Sequence, residues 1–322
     1  MGIPTVQVVP VPLGTGENAS LAAWAARLRR EKIRNRRVLL VQTPQLILDS
    51  FDREIALRRG YYNFPPTGLQ YLYESLRGMG LEVTILNLNH ELLKRVCDDP
   101  DFAASRWLEI LGEALDRYAP SVVGVSCMFD TGIAALLAIL GELRRRDEAV
   151  VVAGGLIPTY EWQSLLDRDL AHFTVAGEGE ERFPFLLGLL FDGVWGEAMG
   201  GIRFCPDGEI MESRGVTRAA AFDRDLVASY AEVRIEEHHL YGSLNPFARM
   251  AGLASTPFAA IQFQRGCRAR CTFCAVPGLM GKGVRSRALA TVLAEMAFLI
   301  EERGIRHFEW LDDDLLFHKD AF

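Results

Sequence analysis

FAAIQFQRGCRARCTFC, residues 258–274, joins a strand-like apolar run, Phe258 to Phe263, to a loop in which Cys267, Cys271 and Cys274 stand at C-x3-C-x2-C. Three thiolates this close can bind three corners of one cubane cluster. A structural zinc site is closed by four protein ligands, and no fourth cysteine lies nearby, so zinc or three unrelated thiols are the weaker readings. For a catalytic cluster the gap is a requirement, because the open iron must bind a substrate. Arg265, Arg268 and Arg270 would add positive charge that eases reduction of a cluster beside them, and a solvated basic loop is the plain alternative. Cys97, Cys127 and Cys205 are scattered and read as buried or incidental thiols.

Downstream, a helical pattern from Ala288 to Arg303 and a strand His307 to Leu311 complete a β-loop-α-β start. Upstream, residues 214–257 are mixed and poorly periodic and read as a linker with short helices; the pair His238 and His239 within it has no partner at metal-ligand spacing and reads as solvated or packed. Before that linker, strands and helices alternate. The strands are Val38–Val41, Val83–Leu86, Val122–Val125, Val150–Ala153 and Phe173–Ala176, mostly β-branched runs of the kind buried on both faces of a parallel sheet. Helical stripes lie between them at Leu69, Leu72, Tyr73 and Leu76, at Trp107, Leu108, Leu111 and Leu115, and at Leu136, Leu137, Leu140 and Leu143. Gly78 and Gly80 stop the first of these. Pro206-Asp207-Gly208 is turn chemistry and predicts a hairpin over 201–211 that closes the unit.

The 322 residues suit two domains, and 49% hydrophobic with 24% charged residues suits ordinary cores. A net charge of -7 argues against a nucleic-acid-binding face. The longest apolar run, Phe183 to Phe191, is interrupted by Pro184 and too short for a membrane span, and the opening residues lack the features of a secretory signal, so a reducing cytoplasm is expected.

An open parallel sheet binds ligands beyond the carboxyl ends of its strands. The residues there are Thr43-Pro44, Ser126-Cys127-Met128, Gly154-Gly155 and Gly177-Glu178-Gly179-Glu180, each an ordinary βα turn when taken singly.

The cysteine loop, with an aromatic residue at Phe273 before the last cysteine, resembles the radical S-adenosylmethionine (SAM) superfamily. The resemblance implies a [4Fe-4S] cluster on Cys267, Cys271 and Cys274, SAM chelated to the free iron, Phe273 close to the adenine, and reductive cleavage to a 5'-deoxyadenosyl radical. Val284–Arg287 and Phe308–Asp314 resemble segments of a branch carrying an N-terminal cobalamin-binding domain, in which Asp312 or Asp313 would approach the SAM amino group. A solvated strand end is the simpler reading of that acidic run. The turns of the N-terminal unit, together with Phe64–Leu69, resemble the cobalamin-binding fold, and Ser126, Cys127, Gly154, Gly155, Gly177, Glu178 and Gly179 are the implied contacts. Residues 42–51 contain no histidine, so cobalamin is expected without an imidazole ligand from the first strand loop, and His90 reads as a surface or packing residue.

The expected fold is therefore α/β: a lead over 1–36, a doubly wound, Rossmann-like parallel sheet over 37–213, the linker over 214–257, and the start of a radical SAM partial TIM barrel over 258–322. The barrel of the family has about six βα units, and the sequence reaches Phe322 after two strands, so a truncated frame, a fragment or a partner-completed chain is expected. The resemblance implies an enzyme acting on a small-molecule substrate by methyl transfer or rearrangement, with an electron donor such as flavodoxin or ferredoxin. A non-catalytic corrinoid-binding or cluster-carrying remnant is the alternative.

Overall fold

Near-continuous burial along most of five short strands sets the architecture. In the computed structural model, which describes residues 16–194, 196–217, 220–244 and 256–317, the strands β1 (Arg37–Gln42), β2 (Glu82–Asn87), β3 (Val122–Ser126), β4 (Val150–Gly154) and β5 (Phe173–Val175) are parallel in the order β2-β1-β3-β4-β5. The antiparallel strands β6 (Ile202–Phe204) and β7 (Met211–Glu212) extend the sheet past β5, with Asp207 and Gly208 in left-handed conformation at the turn between them. The strand order reverses between β1 and β3, which opens a crevice at their carboxyl ends.

Successive side chains point to opposite faces, so each strand feeds two cores. Leu39, Val41, Val123, Val125, Val151 and Ala153 face one layer with α4 (Leu88–Asp98), α5 (Leu108–Tyr118) and α6 (Ile133–Arg146). Leu40, Val122, Val150, Val152 and Phe173 face the other, with α3 (Thr67–Leu76), α8 (Arg182–Phe191) and α1 (Glu17–Lys32). The residues expected only as an N-terminal lead thus include a helix whose Leu21, Ala25 and Leu28 complete this layer. The short α2 (Arg53–Leu57) and α7 (Leu156–Asp167) follow β1 and β4.

The stretch expected as a linker with short helices carries, among its described residues, short 3-10 turns and α9 (His238–Tyr241), and its Phe222, Leu226, Tyr230, Val233 and Ile235 are buried in the same core as α3 and α8. Its apolar residues lack helical or strand period because the segment is a strap laid across a core; its last part, 245–255, lies outside the described residues. The second unit shares that core through Ala259, Ile261, Val292 and Leu299. It consists of β8 (Phe258–Ile261), β9 (Gln264–Arg265), α10 (Val276–Met280), β10 (Arg285–Ser286), α11 (Leu289–Arg303) and β11 (His307–Trp310). β8 and β11 pair in parallel, with α11 as their crossover, and β9 pairs antiparallel with β10. No helix among the described residues is long and apolar enough to cross a membrane.

His90 and His238, one from α4 and one from the strap, are buried and stacked with ring centroids 4.1 Å apart. Both are packing residues. Burial lowers the pKa of both, His238 to about 4, and that of His172 to about 3. Unfolded imidazoles protonate near 6.5, so the stability these residues contribute is present above that pH and is lost as pH falls toward their folded values. Urea unfolding should give a lower midpoint at about pH 5 than at about pH 7.5. Equal midpoints would show that these imidazoles already carry protons in the fold.

Candidate functional site

The turns after the parallel strands meet at one edge. Cys127 donates its backbone N–H to the Gly154 carbonyl at 3.1 Å and accepts from Ile157 at 3.1 Å. Gly155 has φ 94°, and a Cβ there would lie 2.7 Å from the Cys127 carbonyl and 3.1 Å from Ser126 Oγ. Ser126, Cys127, Gly154 and Gly155 are therefore brought together, and the second glycine is required by the close approach of β4 to β3. A Cβ on Gly154 would lie 4.0 Å from the Val175 carbonyl, an ordinary van der Waals contact. The Cys127 thiol is buried in the core, where burial pushes its pKa up, so only its backbone reaches the edge. Around the edge stand exposed Ile47, Met128, Phe129 and Tyr160, and nearby Gln45 holds a buried Oε1 without a hydrogen-bond partner. An edge with a glycine pair, an apolar rim and an orphaned acceptor fits a large, partly apolar cofactor. His90 is packed away from it.

At the turn after β5, where Gly177, Glu178 and Gly179 are the expected contacts, the structure shows interactions within the protein. Gly177 (φ 65°) faces the second unit, where a Cβ would lie 3.0 Å from the Leu279 carbonyl, and Gly179 packs on Leu72. Glu178 is buried and accepts from Arg265 Nη1 at 3.0 Å and Arg285 Nη2 at 2.6 Å, while Glu180 accepts from Arg265 at 2.5 Å. Arg265 is also expected beside the cluster as added positive charge, but its guanidinium is buried against the stacked rings of Tyr71 and Phe222, 4.5 and 4.6 Å from their centroids. Burial alone would lower its pKa; Glu180 and Glu178 outweigh this and hold it above the ordinary arginine value. Two carboxylates and two guanidinium groups make this network neutral.

The cysteine loop runs from Gly266 onward. All its thiols are free; Cys271 is exposed, and Phe273 is 90% exposed. Ala269 donates its N–H to Cys267 Sγ at 3.4 Å, and Cys274 donates to the Cys271 carbonyl at 3.2 Å. Among the described residues no three His, Cys, Asp or Glu side chains are gathered closely enough to hold a metal ion. The donor set nevertheless fits a cluster with one open corner: three unpaired thiols within one short loop, one already receiving a backbone N–H.

Asp312 lies at the end of β11 and accepts from the backbone N–H groups of Phe263, at 3.1 Å, and Gln264. Burial pushes its carboxyl up to about 6 against those hydrogen bonds. Its oxygens thus serve the strand that enters the cysteine loop. Asp313 is half-buried, and its pKa is also raised by burial. Asp314 pairs with the exposed Arg268 at 3.0 Å.

The second arginine of the Val284–Arg287 segment is fully buried. Arg287 meets Glu295 at 2.6 Å and donates to the carbonyls of Gln262 and Arg224, while Tyr230 donates to Glu295 at 2.7 Å. Sequence reasoning missed both buried networks. The available signals were paired acids between glycines at 177–180 and alternating arginines at 285 and 287, neither of which names its partner. Removing one partner of a buried pair strands the other. Arg287→Met should therefore cost about 3–5 kcal/mol in denaturant unfolding, and Arg287→Met with Glu295→Leu should recover most of it.

Comparison with known proteins places these features together. Residues 54–187 match the B12 binding domain family. An uncharacterised methyltransferase of Pyrococcus horikoshii is 23% identical over 260 residues, covering 79% of this chain and 50% of that protein. Cytidylyl-2-hydroxyethylphosphonate methyltransferase of Streptomyces wedmorensis is 22% identical, covering 78% and 51%, and the hopanoid C-3 methylase of Methylococcus capsulatus is 24% identical, covering 80% and 44%. The chain spans about half the length of the curated relatives it matches. The radical SAM methyltransferase TsrM from Kitasatospora setae, solved with cobalamin and a [4Fe-4S] cluster, superposes with a TM-score of 0.60 at 19% identity, covering 89% of this chain and 49% of that one. The same enzyme with tryptophan and a SAM analogue gives 0.58 at 21% identity. Residues 54–187 thus match a B12 binding domain, and the chain shares the fold of that enzyme over 89% of its length.

Proposed function

We propose that this chain supplies the cobalamin-binding domain and the cluster loop of a radical SAM methyltransferase. The observation that carries the reading is the contact of Arg265 and Leu279, which flank the Cys267–Cys274 loop of free thiols, with the turn after β5 at the carboxyl edge of a B12-type sheet. Cobalamin would lie over Ser126, Gly154 and Gly155, within the rim of Ile47, Met128, Phe129 and Tyr160. Cys267, Cys271 and Cys274 would hold a [4Fe-4S] cluster, whose reduced form supplies the electron that cleaves SAM. Phe273, projecting from the loop, would cover the adenine, and Asp313 would receive the SAM amino group, since Asp312 is engaged by the backbone. The substrate is a small molecule, the electron comes from a flavodoxin- or ferredoxin-type donor, and the cell compartment is a reducing cytoplasm.

Anaerobic reconstitution with iron and sulfide should give a brown protein that forms 5'-deoxyadenosine from SAM, and Cys271→Ala should abolish that product. A cluster without cleavage would support a non-catalytic carrier. Stoichiometric zinc without a chromophore would reject the cluster. Separately, hydroxocobalamin should remain with the protein through a desalting column; a colourless eluate would end the corrinoid assignment.

A further inference from the structure

The cysteine loop makes few contacts of its own yet is held at both ends by the N-terminal domain. We infer that Arg265, Glu178 and Glu180 are positioning residues that set the cysteine loop on the cobalamin-type domain before any cofactor is present. The inference rests on the reading of Cys267, Cys271 and Cys274 as cluster ligands, and concerns residues that are not ligands themselves.

At the entry, Arg265 stands two residues before Cys267 and cannot turn. Its Nη1 is held by Glu178 and Glu180 from the turn after β5, and its guanidinium lies against the stacked rings of Tyr71 of α3 and Phe222 of the strap. Gly266 follows with φ 92°, and a Cβ there would overlap the Gly283 carbonyl. The chain is thus forced into one direction at the residue that leads into Cys267. At the exit, Tyr160 of α7 donates its hydroxyl to the Ala275 carbonyl at 3.1 Å, and Gly278 is so close beneath that ring that a Cβ would overlap the hydroxyl. Gly177 meets the Leu279 carbonyl from the same side. Between these anchors, Cys271 and Phe273 are exposed, and Arg268 pairs with Asp314 at the surface. The loop therefore takes its position from its ends.

The chemistry of the entry anchor favours positioning over simple adhesion. A planar group whose Nη1 meets two carboxylates, whose Nη2 lies 3.5 Å from Gln262 Oε1 and which rests against two aromatic rings is fixed in orientation, which a lysine ammonium cannot reproduce although it keeps the charge. Arg285 balances the second carboxylate, so neither acid is left unpaired.

The full chain as wild type, Arg265→Lys, Glu180→Gln and Tyr160→Phe should be compared by hydrogen exchange without cofactor, then by iron and sulfide uptake and by electron paramagnetic resonance of the reduced cluster with and without SAM. Exchange across 266–275 should rise about tenfold in Arg265→Lys and Glu180→Gln while β1 and β3 keep wild-type protection. Iron uptake should fall to roughly half or less, with a broadened spectrum that SAM no longer shifts uniformly. Wild-type exchange and spectra in both variants would overturn the inference. If both variants fail to fold, Tyr160→Phe decides: its ring is exposed, and faster exchange at 274–278 supports the anchoring while unchanged exchange overturns it. A wild type that takes up no cluster would defeat the proposed function, and the exchange data would still decide whether the network positions the loop.

Discussion

Four charges taken out of water together hold the two parts of this protein in one arrangement. Glu178 and Glu180 come from the last parallel βα turn, Arg265 and Arg285 from the strands that flank the cysteine loop. Any one of them alone in that place would carry a desolvation penalty of several kcal/mol. Only with all four present, and with the stacked rings of Tyr71 and Phe222 against one guanidinium, does the burial become tolerable. Such a network adds little net stability over an apolar core, but it penalises every other docking of the second unit on the first. Orientation is what it contributes.

The rest of the architecture gives that network something rigid to act on. Five parallel strands buried on both faces bring the turns after β1, β3, β4 and β5 to one edge, and the reversal of strand order between β1 and β3 opens the cleft there. The turn after β5 is the member nearest the second unit. It therefore borders the candidate corrinoid cleft on one side and the cysteine loop on the other. The strap of residues 220–244 adds a further tie, burying Tyr230 against Glu295 and packing His238 on His90. A second buried pair, Arg287 with Glu295, secures α11 to the strand that leads into the loop.

Much of this was legible from residue order. The β-branched runs at 38, 83, 122, 150 and 173 mark the strands within a residue or two, because a strand buried on both faces must be apolar at nearly every position. The hairpin at Pro206-Asp207-Gly208 and the β-loop-α-β start at 258 were equally plain. Less legible were α1, whose arginine-rich sequence hides a narrow buried stripe of Leu21, Ala25 and Leu28, and the strap, whose buried aromatics follow the contour of a core and not a period of their own. Glu178 illustrates the limit most clearly. Its place in a βα turn suggested a ligand contact, whereas its carboxylate belongs to Arg265 and Arg285, 87 and 107 residues later.

What the sequence by itself determined is therefore what local chemistry can express: the strand and helix order, the glycine pair that lets β4 approach β3, and three cysteines spaced for one cluster. Their spacing is a property of eight residues and needs no fold to be read. Tertiary structure alone decided where that loop sits and which charges hold it. The partners of a buried ion pair are chosen by proximity in the fold, and desolvation punishes any choice but the mutual one. No pattern along the chain carries that information, since each arginine and glutamate is by itself indistinguishable from a solvated surface residue.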